Sequence, residues 1–172
     1  METLTSPLLR SEPLRSPPET VITEAEVTAL VALACSRGAR TAAIGSGRSP
    51  LARASVRATA DVWVRAGGEV ALELTWPETA ASWLRQATRF VAADTDLWIM
   101  LGPPLGWAQM TRRLLWSTPW QPARTLLAGA VCDRRTLDLV ELHNLPGISG
   151  VTRDGDTWQI GPDDDIVTAA RT

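Results

Sequence analysis

Apolar positions follow two alternating patterns along the chain, helical spacing in some segments and short unbroken runs in others. After residues 23–26 (TEAE), a capping-box sequence that marks a helix start, Val27, Leu30 and Val31 share one helical face. Residues 97–101 (LWIML) form an unbroken apolar run of the kind found in strands buried on both faces. Because such segments alternate and short loops join them, the pattern predicts an α/β domain with a largely parallel sheet.

The predicted strands favour a doubly wound, flavodoxin-like sheet of five strands with helices on both faces. The strand segments are 41–44, 69–74, 97–101, 125–130 and 148–152, and the last is expected to pair with 157–160 across an Asp-Gly turn. The helices between them have recognisable start signals. We expect Ser49 to cap the second helix, with Pro50 at its first position. We expect Thr79 to cap the third helix and Asp133 to cap the fifth.

Length and charge narrow the class of protein. The chain has 172 residues, which at roughly 100–200 residues per domain predicts one domain, with a flexible Pro-rich leader at 1–20, the α/β domain at 21–162 and an acidic tail at 163–172. Seventeen basic residues, all Arg, nearly balance nineteen acidic ones, which argues against nucleic acid as the main partner. Neither a secretion signal nor a transmembrane run is found, so we expect no membrane insertion and a cytoplasmic location.

Tryptophan and cysteine are the unusual parts of the composition. Eight Trp accompany one Phe and no Tyr. Four of the Trp fall within predicted helices or strands and are expected in the core: Trp63, Trp83, Trp98 and Trp116. Cys35 and Cys132 have no neighbouring metal-ligand pattern, so we expect buried, reduced thiols and no bound metal.

Candidate binding residues lie in the loops after the predicted strands, because ligands of open α/β sheets bind beyond the carboxyl ends of the strands. In the first such loop, the backbone of Ser46 and Gly47 and the helix start at Ser49 could hold a carboxylate or phosphate, helped by Arg48. The loop has neither a Walker sequence nor the GxGxxG pattern. A glycine-rich turn that binds nothing is therefore the alternative.

Two further loops carry an aromatic side chain beside a predicted strand end. Prolines stiffen the loop between Gly102 and Trp107, and the Trp107 indole could stack on a small ligand. Trp76 follows a strand directly and offers the same contact. The alternative for both indoles is a place in the hydrophobic core. The complete set of ligand-binding candidates is Ser46, Gly47, Arg48, Ser49, Trp76, Gly102 and Trp107.

Catalytic constellations are absent from the sequence. His143 is the only histidine, and neither Ser46 nor Ser49 has a partner histidine in a recognisable triad arrangement. The acidic run at 163–165 lacks the ligand spacing of a calcium loop. We therefore assign no catalytic residue, no metal and no cofactor, and an enzyme is the less favoured class.

The order of these features resembles one lobe of the type I periplasmic binding proteins, in the branched-chain amino acid receptor branch of ABC transporter substrate-binding proteins. The resemblance covers residues 21–155 and rests on five segments. Residues 40–44 (RTAAI) look like the opening strand and 65–70 (RAGGEV) like the following helix end and strand entry. Residues 94–99 (DTDLWI) and 122–127 (PARTLL) are similar to the next two strands of the lobe. Residues 142–150 resemble the G-x-x-G segment through which the chain returns to the sheet.

The resemblance implies a small polar, amino-acid-like ligand and no catalysis. A complete receptor has two lobes, and this chain has length for one, so a homodimer or a protein partner would have to complete the cleft. The leading hypothesis is a non-enzymatic ligand-binding, sensing or protein-interaction module. A Rossmann-like enzyme or nucleotide binder using residues 45–49 is the alternative, and a receptor remnant without independent function is a third.

Overall fold

The structure is a computed structural model that describes residues 19–169, so most of the predicted leader lies outside the described residues. Its helices are α1 (Glu24–Ser36), α2 (Pro50–Arg65), α3 (Leu84–Ala92), α4 (Pro104–Ser117) and α5 (Arg134–Asp138). Its strands are β1 (Thr41–Ser46), β2 (Glu69–Thr75), β3 (Leu97–Met100), β4 (Thr125–Leu127), β5 (Ser149–Val151), β6 (Thr157–Ile160) and β7 (Ile166–Ala169). Short 3-10 turns occupy Pro122–Arg124, Gly129–Val131 and Leu142–Asn144.

All seven strands form one sheet in the order β2-β1-β3-β4-β5-β6-β7. The first five run parallel in the flavodoxin-like order, whereas β6 and β7 are antiparallel to their neighbours. The mostly parallel α/β class is confirmed, and the sheet has two more strands than the predicted five. β7 lies within the segment expected to be an acidic tail. Asp163, Asp164 and Asp165 form an exposed turn, and after this turn the chain returns to the sheet.

Helices cover both faces of the sheet and create two hydrophobic cores. The core on one face includes Leu30 of α1 and Val56 of α2, and the core on the other includes Phe90 of α3 and Met110 of α4. Seven of the eight Trp are buried, including Trp63, Trp83 and Trp98 as predicted.

Two core predictions were wrong. Trp116 is 75% exposed near the end of α4, two positions after the buried Leu114, and therefore points away from the buried face of the helix. Cys35 is exposed, since the buried stripe of α1 ends at Ala34 and the next side chain points about 100° away around the helix. Cys132 is half-buried, and burial raises the pKa of its thiol. The helical pattern predicts the position of a buried stripe only to within one or two residues, and that difference decides whether these two side chains are exposed.

Helix starts follow the sequence signals in three of four cases. Thr23 forms the capping box with Glu26, Ser49 accepts a hydrogen bond from the Ala52 N–H, and Asp133 caps α5. The prediction for Thr79 was wrong, because α3 begins only at Leu84 without a side-chain cap. The intervening loop is held by the Trp83 indole N–H, which donates to the Pro77 carbonyl oxygen at 2.8 Å.

Replacing Ser49 by alanine is expected to lower the free energy of unfolding by about 1 kcal/mol, since an orphan backbone N–H at the start of α2 loses its acceptor. Urea unfolding of the variant beside Ser36→Ala measures the effect. Ser36 is an exposed serine at the other end of a helix, and its replacement should change stability by less than about 0.5 kcal/mol. Equal losses in the two variants would contradict the assignment of Ser49 as the cap.

Within residues 19–169, no helix combines the length and apolar character needed to cross a membrane. The cytoplasmic location stays a prediction.

Candidate functional site

The loops that follow β1 and β3 lie side by side at one edge of the sheet. β1 and β3 are neighbours in the sheet, and their connections lead to β2 on one side and to β4 on the other, which makes their carboxyl ends the switch point of the fold. A Cβ atom added to Gly102 would lie 3.0 Å from the Gly47 backbone nitrogen. With φ at +106°, Gly102 also has a conformation that L side chains rarely adopt. The loops after β1 and β3 are therefore in direct contact through their glycines.

The first loop is already engaged by the protein itself. The Ser46 hydroxyl is buried and donates to the Gly47 carbonyl oxygen at 3.0 Å. The Ser49 hydroxyl caps α2 and donates to Glu19 Oε1 at 2.5 Å. Arg48 is exposed and faces a different groove, at the edge of the sheet. These polar groups are not directed into a common cavity.

Trp76 and Trp107 occupy the predicted positions along the chain, but both are fully buried. The Trp76 ring packs edge-on against Phe90, with 6.3 Å between ring centroids. Trp107 belongs to the same core, and neither indole N–H has a hydrogen-bond partner among the described residues. Both rings therefore lie in the hydrophobic core, as the alternative interpretation expected. They fill the core between the sheet and helices α3 and α4.

A pocket of about 200 Å³ lies beside these loops, at the carboxyl ends of β3 and β4. We call it the strand-end pocket. Its walls are Glu19, Thr20, Val21, Ile22, Glu26, Ala52, Ser55, Leu101, Gly102, Pro103, Pro104, Ala128, Gly129, Ala130, Asp133 and Arg153. Of the seven residues predicted from sequence, only Gly102 lines it. The pocket combines apolar walls with three carboxylates and one guanidinium group.

The segment before α1 forms one wall of the strand-end pocket. The Ile22 N–H donates to Ser55 Oγ at 2.9 Å, and Thr23 Oγ1 donates to the Arg153 carbonyl oxygen at 2.9 Å. Glu26, which is only 2% exposed, accepts hydrogen bonds from the backbone N–H groups of Thr23 and Gly129 at 2.7 and 2.9 Å. These contacts tie the segment to α2, to the loop after β4 and to the β5–β6 turn.

Glu78 is the functional-looking residue that sequence reasoning missed. Its Oε2 accepts a hydrogen bond from the Gly106 N–H in the first turn of α4 at 2.9 Å, and its buried Oε1 has no partner among the described residues. Burial raises the pKa of this carboxyl to about 7, opposed by the Gly106 hydrogen bond and assisted by the charge of Glu19. Carboxyls with a pKa near neutrality are common at functional sites, and Glu78 lies at the switch point of the fold.

Glycines create the space that Glu78 occupies. A Cβ on Gly47 would lie 2.4 Å from its Oε1, and a Cβ on Gly106 would lie 2.3 Å from its Oε2. The sequence pointed to Glu78 only indirectly. Gly47 and Gly106 lie in the strand-end loops, but no local pattern indicates that the Glu78 carboxyl occupies the space between them. The Glu78 carboxyl fills the space beside Gly47 that a phosphate would need, so the structure lends no support to the nucleotide-cradle alternative.

Comparison with known proteins identifies the fold but no sequence relative. No protein-family model matches the sequence, and no curated protein is significantly similar to it. An extracellular ligand-binding receptor from Rhodopseudomonas palustris HaA2 superposes with a TM-score of 0.63 at 13% identity, over 73% of this chain and 34% of that one. An ABC transporter substrate-binding protein from Sphaerobacter thermophilus gives a TM-score of 0.60 at 16% identity, over 74% of this chain and 35% of that one.

A branched-chain amino acid transporter substrate-binding protein from Streptococcus pneumoniae, solved in complex with isoleucine, gives a TM-score of 0.58 at 10% identity. That match covers 73% of this chain and 35% of the solved one. The chain therefore has the fold of one lobe of a type I periplasmic binding protein, as its resemblance implied, and spans about a third of the length of these structures.

Proposed function

We propose that this chain is a non-enzymatic module that binds a small zwitterionic ligand, such as an apolar amino acid, in the strand-end pocket. The observation that carries the proposal is the placement of both charge types around one apolar cavity. Arg153 can pair with a ligand carboxylate, while Glu19 and Asp133 can receive an ammonium group. Leu101 and Ile22 supply walls for an apolar side chain.

A second surface is part of the proposal. Sites that enclose small molecules usually measure about 300–1,000 Å³ and bury most of the ligand. The strand-end pocket measures about 200 Å³, so a bound amino acid would stay open to solvent on one side. A second copy of the chain, or a partner protein, would supply the missing wall.

The solved structures with the same fold guide the choice of ligands to test. The Streptococcus pneumoniae protein was solved with isoleucine, and a solute-binding protein of an ABC transporter from R. palustris was solved with 4-hydroxybenzoate. Isoleucine carries an ammonium group as well as a carboxylate, whereas 4-hydroxybenzoate carries only the anion. Three carboxylates against one guanidinium in the pocket favour the ligand that brings a positive charge.

Calorimetric titration of the protein with isoleucine is expected to give a binding heat, and titration with 4-hydroxybenzoate is not. Arg153→Ala should weaken isoleucine binding about ten-fold or more, because a hydrogen bond to a charged group contributes about 1.5–3 kcal/mol. The matched control is Arg135→Ala, which removes an exposed arginine outside the pocket. Sedimentation at several protein concentrations, with and without isoleucine, reports whether a second copy closes the site.

Absence of both heat and thermal shift with a panel of amino acids, at protein concentrations that favour self-association, would overturn the proposal. Equal affinity in Arg153→Ala and Arg135→Ala would remove the strand-end pocket as the binding site. A dimer that forms only with ligand would identify the covering surface as a second copy.

A further inference from the structure

A second cavity lies on the outer edge of the sheet, away from the strand-end pocket. It measures about 570 Å³ and runs along β2, between α2 on one face of the sheet and α3 on the other. We call it the edge groove. Its lining contains five arginines and a single carboxylate: Arg48, Arg53, Arg57, Arg85, Arg89 and Glu73.

The arginines of the edge groove are arranged as two pairs. Arg53 and Arg57 are four residues apart on α2, and Arg85 and Arg89 are four residues apart on α3. Like charges at this spacing destabilise a helix, because their side chains lie close together on its surface. All four side chains are exposed, and none forms an ion pair or side-chain hydrogen bond within residues 19–169. An anionic partner would compensate these charges.

The floor of the edge groove is the backbone of an edge strand. Among the described strands, β2 pairs only with β1 and leaves its outer row of N–H and C=O groups without a strand partner. Such a row is a template for an added strand. Proteins that protect an edge by charge place lysines or inward-pointing charges on the strand itself. Here the positive charges lie on the flanking helices, and the strand itself carries two glutamates, Glu69 and Glu73.

We propose that the edge groove binds an extended acidic segment of a partner protein, which adds to the sheet as a strand beside β2. Successive side chains of a strand point to opposite faces of the sheet. A run of consecutive acidic residues would therefore direct alternate carboxylates to the α2 pair and to the α3 pair. Arginine suits this role, because its planar guanidinium can bind a carboxylate with two hydrogen bonds.

The spacing of the charges matches such a segment. Residues four apart on a helix are separated by about 6 Å along its axis, and residues two apart on a strand by about 6.6–6.8 Å. One acidic side chain can thus face Arg53 while the next on the same face meets Arg57. A free phosphate or single carboxylate would satisfy one pair at most and would leave the strand edge unpaired.

The experiment measures fluorescence polarisation of a fluorescein-labelled eight-residue peptide of alternating Glu and Asp. Addition of the protein is expected to raise the polarisation. Arg53→Glu combined with Arg57→Glu should weaken binding about ten-fold or more, and so should Arg85→Glu combined with Arg89→Glu. The matched control is Arg65→Glu with Arg135→Glu, which makes the same change in net charge at exposed positions outside the groove. It should stay within about two-fold of the wild type.

Two further probes test the mode of binding without altering the protein. The same peptide with alternate backbone amides N-methylated keeps every charge but loses main-chain donors, so it should bind about ten-fold more weakly. A labelled single-stranded oligothymidine of equal charge should bind more weakly than the acidic peptide. Equal binding of both peptides and of oligothymidine would identify a general polyanion surface and overturn strand addition. Loss of peptide binding in the control variant, or no binding at all, would overturn the proposal itself.

Discussion

Replacing Trp107 by alanine is expected to lower the free energy of unfolding by about 3–5 kcal/mol, the usual cost of truncating a buried aromatic residue. Trp107 is 0% exposed in the core between the sheet and α4, and the cavity left behind can collapse only partly. Its indole N–H has no partner among the described residues, so the loss comes from packing rather than from a broken hydrogen bond. Chemical unfolding followed by far-UV circular dichroism measures it.

The same helix provides a matched control. Trp116→Ala removes an identical side chain that is 75% exposed, and should change the stability by less than about 0.5 kcal/mol. If Trp107→Ala changes the free energy of unfolding only slightly but abolishes ligand binding, the Trp107 indole belongs to the ligand site. A large effect confirms it as a core residue.

The second large effect concerns pH. Burial raises the pKa of Glu78 to about 7 from the ordinary value of 4.5. Below about pH 4.5 the carboxyl is protonated in both the folded and the unfolded chain, so it adds no pH dependence. Between about pH 4.5 and 7 the unfolded chain has released this proton and the folded chain keeps it, so the free energy of unfolding falls as the pH rises. Above pH 7 the loss is complete, on the order of 3 kcal/mol.

Glu78→Gln is therefore expected to flatten the stability profile between pH 4.5 and 7 and to be more stable than the wild type at pH 8. Glutamine keeps an acceptor for the Gly106 N–H and cannot ionise. Guanidinium unfolding at several pH values measures the difference. Glu69→Gln, at an exposed position on β2, serves as the control and should retain the wild-type fall. If the stability of Glu78→Gln falls with pH as steeply as that of the wild type, the Glu78 carboxyl is not the source of the fall.

Local signals predicted much of the fold. The capping box at Thr23 and the cap at Ser49 depend on contacts within three residues, and both form as expected. The unbroken run of β3 needs burial on both faces, which predicts a central parallel strand. These features depend on residues that are close together in the sequence, so they can be predicted from the sequence alone.

Features that depend on distant residues were less predictable. The placement of Trp76 in the core depends on Phe90, fourteen positions along the chain, and on the packing of α3. Glu78 is buried because Gly47 and Gly106 both leave room for its carboxyl, and no local pattern connects these three positions. β7 was hidden behind three aspartates, whose exposed turn resembles a tail until its pairing with β6 is known.

The antiparallel pair at the end of the sheet determines where the described chain ends. β6 reverses direction after β5 and β7 reverses again, so Ala169 pairs with Thr157, near the carboxyl end of β5. Glu19, at the other end of the described chain, also lies at this edge, in the wall of the strand-end pocket. With strands about 4.8 Å apart, three steps separate β4 from β7, or about 14 Å. Both ends of the described chain therefore lie on the side of the sheet that carries the strand-end pocket.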